Sequence, residues 1–303
     1  AVGGARPALI LVNDEDLAYA KIRLDAESLA FAEANIERFE DALTRRIILA
    51  SAWDMTRDVE MPANRFLALA LRAAQIETST ASLSALLRQI DTAVTSYVSP
   101  ASRPGELLAT AEALFTLAAG AQPGSDAQEM LVEAAARRAV TPAQFQRLQD
   151  LYRGKETLEG LDLSDDLRWS LLFALVRGGL ATEADVTALH EEDNTLTGEQ
   201  NAARAQATFN SSKVRAATWK AVMEDVSIPN DTRWAMAAGF WSHAVTEPAA
   251  YVSYVEKFYD HLDRIWEDHT FQIASRIVKS MEPLPLVGYE KHVDVLARAK
   301  QWL

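Results

Sequence analysis

Leu83-Ser84-Ala85-Leu86-Leu87-Arg88-Gln89-Ile90-Asp91-Thr92-Ala93-Val94-Thr95-Ser96-Tyr97 decides the fold class. Its apolar residues at 83, 86, 87, 90, 94 and 97 recur at intervals of three and four, which lays one continuous stripe along a helix and suits no strand. Upstream, Ile36, Phe39, Leu43, Ile47 and Ala50 repeat the pattern. Near the far end Tyr251, Tyr254, Val255, Phe258, Leu262, Ile265 and Trp266 do so again. Start signals punctuate the interval. Thr141-Pro142-Ala143-Gln144 offers a capping threonine, a first-turn proline and a glutamine three residues on, and Ser125–Gln128, Thr182–Asp185 and Thr197–Gln200 follow similar spacing. Ser164-Asp165-Asp166 adds carboxylates at the positive end of a helix dipole. These marks predict about fourteen helices of ~10–20 residues with short connections. Composition agrees: alanine, the best helix former, fills 53 of 303 positions, against 12 glycines and 10 prolines.

No fixed-period repeat stands out, and one compact core stops growing near ~250–300 residues. The expectation is therefore all-α: an irregular HEAT-like α-solenoid of paired antiparallel helices over residues 26–303. One stretch reads as strand. Leu9–Val12, the polar turn Asn13–Asp16 and the alternating Leu17–Leu24 predict a short β-hairpin, so residues 1–25 are expected to be a leader plus the end of a preceding sheet domain. The alternation slips at Lys21-Ile22, and an isolated hairpin is marginal in water.

The net charge of −13 argues against a nucleic-acid partner. Without cysteine there is no disulfide framework, thiolate zinc site or cysteine nucleophile, which fits a reducing compartment. No run of ~18 uncharged apolar residues occurs, so neither a membrane span nor a membrane partner is expected. A cytoplasmic setting is the expectation, and a first residue other than Met suggests a piece of a longer polypeptide.

Catalytic motifs do not assemble. His190-Glu191-Glu192-Asp193-Asn194 begins like H-E-x-x-H, but Asn194 stands where the second ligand belongs, so the stretch reads as an exposed helix end. Asp260-His261-Leu262-Asp263 and Glu267-Asp268-His269 contain ligand-type residues, yet His261 and Asp268 lie two helical turns, about 10.5 Å, apart. A solvated face with ion-pair roles and a weak metal site both remain readings of that cluster. His243 and His292 have no partner at a diagnostic spacing. Gly178-Gly179 follows the stripe Leu171, Leu172, Leu175 and reads as a helix C-cap rather than a phosphate cradle. Most of the seven tryptophans read as packing, with Trp241 and Phe240 as candidates for a binding surface.

Leu9–Asp25, centred on Val12-Asn13-Asp14-Glu15-Asp16-Leu17-Ala18-Tyr19-Ala20, resembles the strand segment with which the C-terminal helical region of the zinc aminopeptidase N family (the gluzincin aminopeptidases) begins. Ala203-Arg204-Ala205, Ser212-Lys213-Val214-Arg215-Ala216-Ala217-Thr218-Trp219, Ile228-Pro229-Asn230, Ala238-Gly239-Phe240-Trp241 and Tyr254–Leu262 with Ile265-Trp266 are similar to its actinobacterial-type branch. The resemblance covers about residues 8–300. It implies a non-catalytic domain that caps the catalytic chamber and controls which peptides enter, in a parent enzyme that removes N-terminal residues from peptides. Zinc, the H-E-x-x-H motif and the G-x-M-E-N motif would belong to a catalytic domain elsewhere, so no cofactor, catalytic residue or metal ligand is assigned here. The implied partners are the catalytic and β domains of the same polypeptide, and peptide substrates. Arg204, Lys213 and Arg215, with Phe240 and Trp241, are the candidates for the chamber wall, because a guanidinium or ammonium suits a peptide carboxylate. The alternative is a free-standing α-solenoid interaction scaffold.

Overall fold

The computed structural model describes residues 4–289 and 293–302. Among them are fifteen α-helices and no strand, and the chain divides into two compact units, Ala1–Arg138 and Ala139–Leu303. The all-α expectation holds. No helix among the described residues is long and apolar enough to cross a membrane.

The first unit comprises α1 (Ala26–Asn35), α2 (Ala42–Arg57), α3 (Ala63–Ile76), α4 (Thr80–Thr92), α5 (Arg103–Gly120) and α6 (Asp126–Arg138). Capping carboxylates and hydroxyls set several starts: Asp25 accepts from the amides of Glu27 and Ser28, Asp41 from Thr44, and Ser79 from Ser82. The cap at Asp41 explains why the stripe from Ile36 to Ala50 is two elements, with Ile36 in a 3₁₀ turn and Phe39 in the break. Ile47, Ile48 and Ala52 of α2, Phe66, Leu67 and Ala70 of α3, and Leu83 and Ile90 of α4 are buried together. The α4 stripe continues through Val94, but Ala93–Tyr97 widens into a π turn with the Val98 amide bonded to the Ala93 carbonyl, which leaves Tyr97 exposed beside Trp53.

The predicted hairpin is not there. Residues 9–24 hold a single 3₁₀ turn, Asp14–Asp16, in otherwise irregular chain. Side chains satisfy its backbone instead. Asn13 donates to the Ala18 carbonyl and accepts from the Ala18 amide; the Ile10 amide donates to Ser28, and Ser51 donates to the Ile22 carbonyl. Lys21 pairs with Asp58, and Arg23 with Asp58 and Glu60. Alternation alone cannot make a ladder without a partner strand, and these local polar contacts win.

The second unit comprises α7 (Pro142–Tyr152), α8 (Asp165–Arg177), α9 (Glu183–Glu192), α10 (Leu196–Thr208), α11 (Ser212–Glu224), α12 (Asn230–Phe240), α13 (Ser253–Asp268), α14 (Phe271–Met281) and α15 (Val295–Trp302). Thr141 with Gln144 and Thr182 with Asp185 form reciprocal capping boxes, as their spacing predicts. α10 starts earlier than expected because Thr195, not Thr197, accepts the Gly198 amide. Gly179 takes φ +70° after α8 and the Leu180 amide reaches back to the Leu175 carbonyl, so the Gly178-Gly179 pair is a C-cap. Trp169, Leu172 and Val176 of α8 pack with Val186 and Leu189 of α9 and Ala205 of α10. Trp219, Phe240, Tyr254, Phe258, Ile265 and Ile277 lead a second core under α11–α15.

Loops in both units are tied down by arginines. Arg45 donates to the Phe39 and Glu40 carbonyls at 2.8 and 2.9 Å, and Arg72 to those of Glu33 and Ala34 at the end of α1. Arg103 donates to the Val98 carbonyl, Arg177 to that of Ala139 and Arg233 to that of Asp225. Helix ends leave carbonyls without intrahelical partners, and a forked guanidinium meets that need where turn-forming residues are scarce.

Candidate functional site

The candidate residues fall within the second unit, at the ends of α10 and α12 and the start of α11. α10 and α12 cross very closely. A Cβ on Gly239 would stand 2.4 Å from the Arg204 carbonyl oxygen and 2.7 Å from the Ala207 Cβ, so a glycine facing an alanine makes the approach possible. That crossing fixes the backbone carrying Arg204.

Phe240 is fully buried, edge-on to Trp241, Tyr251 and Tyr254. It presents no surface to a ligand; its role is packing. Trp241 is half-buried, stacks on Tyr251 with centroids 5.5 Å apart, and donates its indole N–H to the Ser280 carbonyl at 3.0 Å. Arg215 lies over the same Tyr251 ring at 5.4 Å and donates to Asn210 Oδ1 at 2.6 Å, while the Asn210 amide donates to Glu247 at 2.9 Å. The structure therefore gathers Arg215, Trp241 and Phe240 around Tyr251. Arg204 is elsewhere, its guanidinium 4.2 Å from the centre of the Phe173 ring. Lys213 is exposed and, among the described residues, makes no hydrogen bond or ion pair.

Sequence reasoning counted Tyr251 as one more member of a core stripe and left His243 without a partner. Burial pushes the Tyr251 hydroxyl up to about 12, so it stays protonated, and the Arg215 guanidinium and the His243 backbone N–H, which favour the phenolate, only partly offset this. His243 is buried, with Nε2 2.9 Å from the Thr208 carbonyl, and burial holds it below its ordinary value. No local spacing could have revealed a pairing across 35 residues. A protonated phenol, a neutral imidazole and a paired guanidinium give hydrogen-bonding and cation–π capacity, the chemistry of recognition.

The two ligand-like clusters resolve into structural contacts. Asp193 is buried, contrary to the exposed helix end expected there, and accepts from Trp169 Nε1 at 2.8 Å and Thr195 Oγ1 at 2.7 Å. Those bonds, Thr195 first, hold its carboxyl below the usual range. His261 Nδ1 lies 2.7 Å from the Lys257 carbonyl and Nε2 3.6 Å from Glu224, while Asp268 pairs with Arg264 at 3.1 Å. His269 lines a groove of about 640 Å³ with Arg233 and Glu224. Among the described residues no three His, Asp or Glu side chains gather to hold a metal ion, so these residues do not fit a zinc site. His292 lies outside the described residues.

The full chain aligns, with 35% identity over 302 residues, to Aminopeptidase N of Streptomyces lividans, and spans 34% of that protein's length. The sequence family described as ERAP1-like C-terminal domain matches residues 9–295, which takes in α1 to α14, the Arg204–Tyr251 region and the irregular segment ahead of α1. By that match the chain belongs to the family of ERAP1-like C-terminal domains.

Proposed function

We propose that this chain is the non-catalytic helical domain of a cytoplasmic zinc aminopeptidase, that it caps the catalytic chamber, and that it controls which peptides reach the active site. One observation carries the reading: the chain aligns end to end with a protein named Aminopeptidase N yet accounts for only 34% of it. The H-E-x-x-H and G-x-M-E-N motifs do not occur in its sequence, so zinc and the hydrolytic step belong to the catalytic domain of the same polypeptide. That domain and a β domain are its partners, and peptides are what it handles.

Within this reading the chain's own residues recognise and exclude. Lys213 has an uncommitted ammonium to attract the carboxylate of a peptide in an acidic protein, and Arg204 offers a guanidinium braced on Phe173. Arg215 is committed to Tyr251 and Asn210, so it positions the aromatic wall that ends in Trp241. Lys213→Ala and Arg204→Ala in the full-length enzyme, assayed on peptides of increasing length, test the assignment. The expected result is a fall in kcat/KM confined to long peptides, by about threefold to tenfold for a partly screened charge. Unchanged kcat/KM at every length would remove both residues from the substrate path. Turnover of an aminoacyl amide by this chain alone would overturn the non-catalytic reading.

A further inference from the structure

We infer that the groove between the α11–α12 turn and the α13–α14 turn of the second unit binds inorganic phosphate, as the hydrogen phosphate dianion. The inference does not depend on the peptide reading. The groove, about 640 Å³, is bounded by Glu224 at the end of α11, Asn230 and Arg233 in the first turn of α12, Asp268 at the end of α13 and Ile273 in the first turn of α14. Two helices therefore begin on it, and neither has a side-chain cap: Pro229 has no group to offer and the Thr270 hydroxyl bonds no first-turn amide. Amides left open at a helix start favour an anion. Arg233 is the second observation. It is 2% exposed and forms no ion pair among the described residues; one terminal nitrogen donates to the Asp225 and Ile228 carbonyls, and its buried Nε has no partner. A buried guanidinium bonded only to neutral carbonyls lacks the counter-charge that buried ions require.

The other charges nearby are already matched. Asp268 pairs with Arg264 at 3.1 Å, and the Asp225 carboxylate accepts from the Ser227 amide and hydroxyl. The Arg233 charge reaches across the groove to His269: burial first, and then Arg233, hold that imidazole below its ordinary value, with Asp268 opposing. A dianion seated beside Arg233 would cancel that push. Glu224 decides which anion is accepted. Its carboxylate lines the groove, lies 3.6 Å from His261 Nε2, and accepts no hydrogen bond among the described residues. Sulfate, an ionised carboxylate and a phosphomonoester dianion carry no acidic proton, so each meets Glu224 charge against charge. Hydrogen phosphate keeps one P–O–H, which donates to Glu224 while the other oxygens accept from Arg233 and the open amides. The groove is wider than the ion, which sits at its Arg233 end.

The test is calorimetry and histidine NMR on the 303-residue chain with phosphate, sulfate, acetate and glycerol phosphate at matched ionic strength. Phosphate is expected to saturate and to bind at least about tenfold more tightly than the other three, the worth of one charged hydrogen bond. It should also raise the pKa read from the His269 ring resonance, assigned by its loss in His269→Gln. Arg233→Gln should remove phosphate binding. Glu224→Gln, at an exposed helix end, should bring phosphate and sulfate to within about twofold of each other, because an amide can donate to either. Where Arg233→Gln does not fold, Glu224→Gln and the His269 resonance decide. Phosphate shifts no larger than those of acetate, equal affinity for phosphate and sulfate, or a ratio unchanged in Glu224→Gln would overturn the site. Tighter binding of glycerol phosphate would overturn the assignment to the free ion. None of these measurements involves peptide turnover, so this inference and the chamber reading can fail separately.

Discussion

Replacing Gly239 by alanine sets two effects of known sign against each other. In an unconstrained helix the change gains up to about 1 kcal/mol from intrinsic propensity, and less here because Gly239 is the next-to-last residue of α12. Against it stands the new methyl, 2.4 Å from the Arg204 carbonyl oxygen and 2.7 Å from the Ala207 methyl. Ordinary carbon–oxygen contacts are about 3.3 Å or longer, so α12 must retreat from α10 by about 1 Å, and the facing groups are backbone and alanine, which cannot rotate away. Overpacking of this kind costs ~1–3 kcal/mol. The expected net result is destabilisation by about 1–2 kcal/mol. Gly105 in α5, where an added Cβ meets nothing within 4 Å, is the control, and Gly105→Ala should be neutral or slightly stabilising. Urea unfolding followed by tryptophan fluorescence reads mainly the second unit, which holds every tryptophan except Trp53. The midpoint should fall with the slope unchanged. A Gly239→Ala variant as stable as the control would show that this glycine does not set the α10–α12 crossing.

Asp193→Ala leaves the buried Trp169 indole N–H without an acceptor and should cost about 1–3 kcal/mol in chemical denaturation. Because the Asp193 carboxyl is held below its ordinary value in the folded chain, its contribution is complete above about pH 4 and is lost as pH falls through the folded value, a step that Asp193→Asn should lack. His243, also lowered, stays neutral in the folded state while the unfolded chain protonates, so stability should fall as pH drops below about 6.5; a midpoint that falls equally in His243→Gln would discount it. Val59 is an exposed β-branched residue at φ +64°, and Val59→Gly should raise the unfolding free energy measured in urea by about 0.5–1 kcal/mol by removing left-handed strain.

The helical class and most helix starts were legible because both are written locally, in apolar spacing and in side chains that bond an amide three residues away. Thr141–Gln144 and Thr182–Asp185 are the clearest cases. Residues 9–24 misled because alternation reports a two-sided environment, not a partner strand; here one asparagine and two serines take the bonds that a ladder would have made. The division after Arg138 leaves no local mark, since it depends on which helices pack together. At the candidate site the cations could be named but not sorted. Phe240 and Trp241 are adjacent in sequence, yet one is sealed and the other half open, a distinction set by Tyr251 and Tyr254 from later in the chain.

The arginines that hold loop carbonyls have a consequence for how the molecule meets changing solvent. A guanidinium keeps its proton across the whole range in which proteins survive, and a bond to a neutral carbonyl offers mobile ions little to screen. The joints held by Arg45, Arg72, Arg103, Arg177 and Arg233 are therefore the acid-proof and salt-proof part of the scaffold. Acid must work instead through the side chains that titrate, Asp193 and His243 among them. Lysine at those five positions would keep the charge but surrender the planar fork, so the joints are guarded against the solvent yet not against a one-residue change that preserves every formal charge.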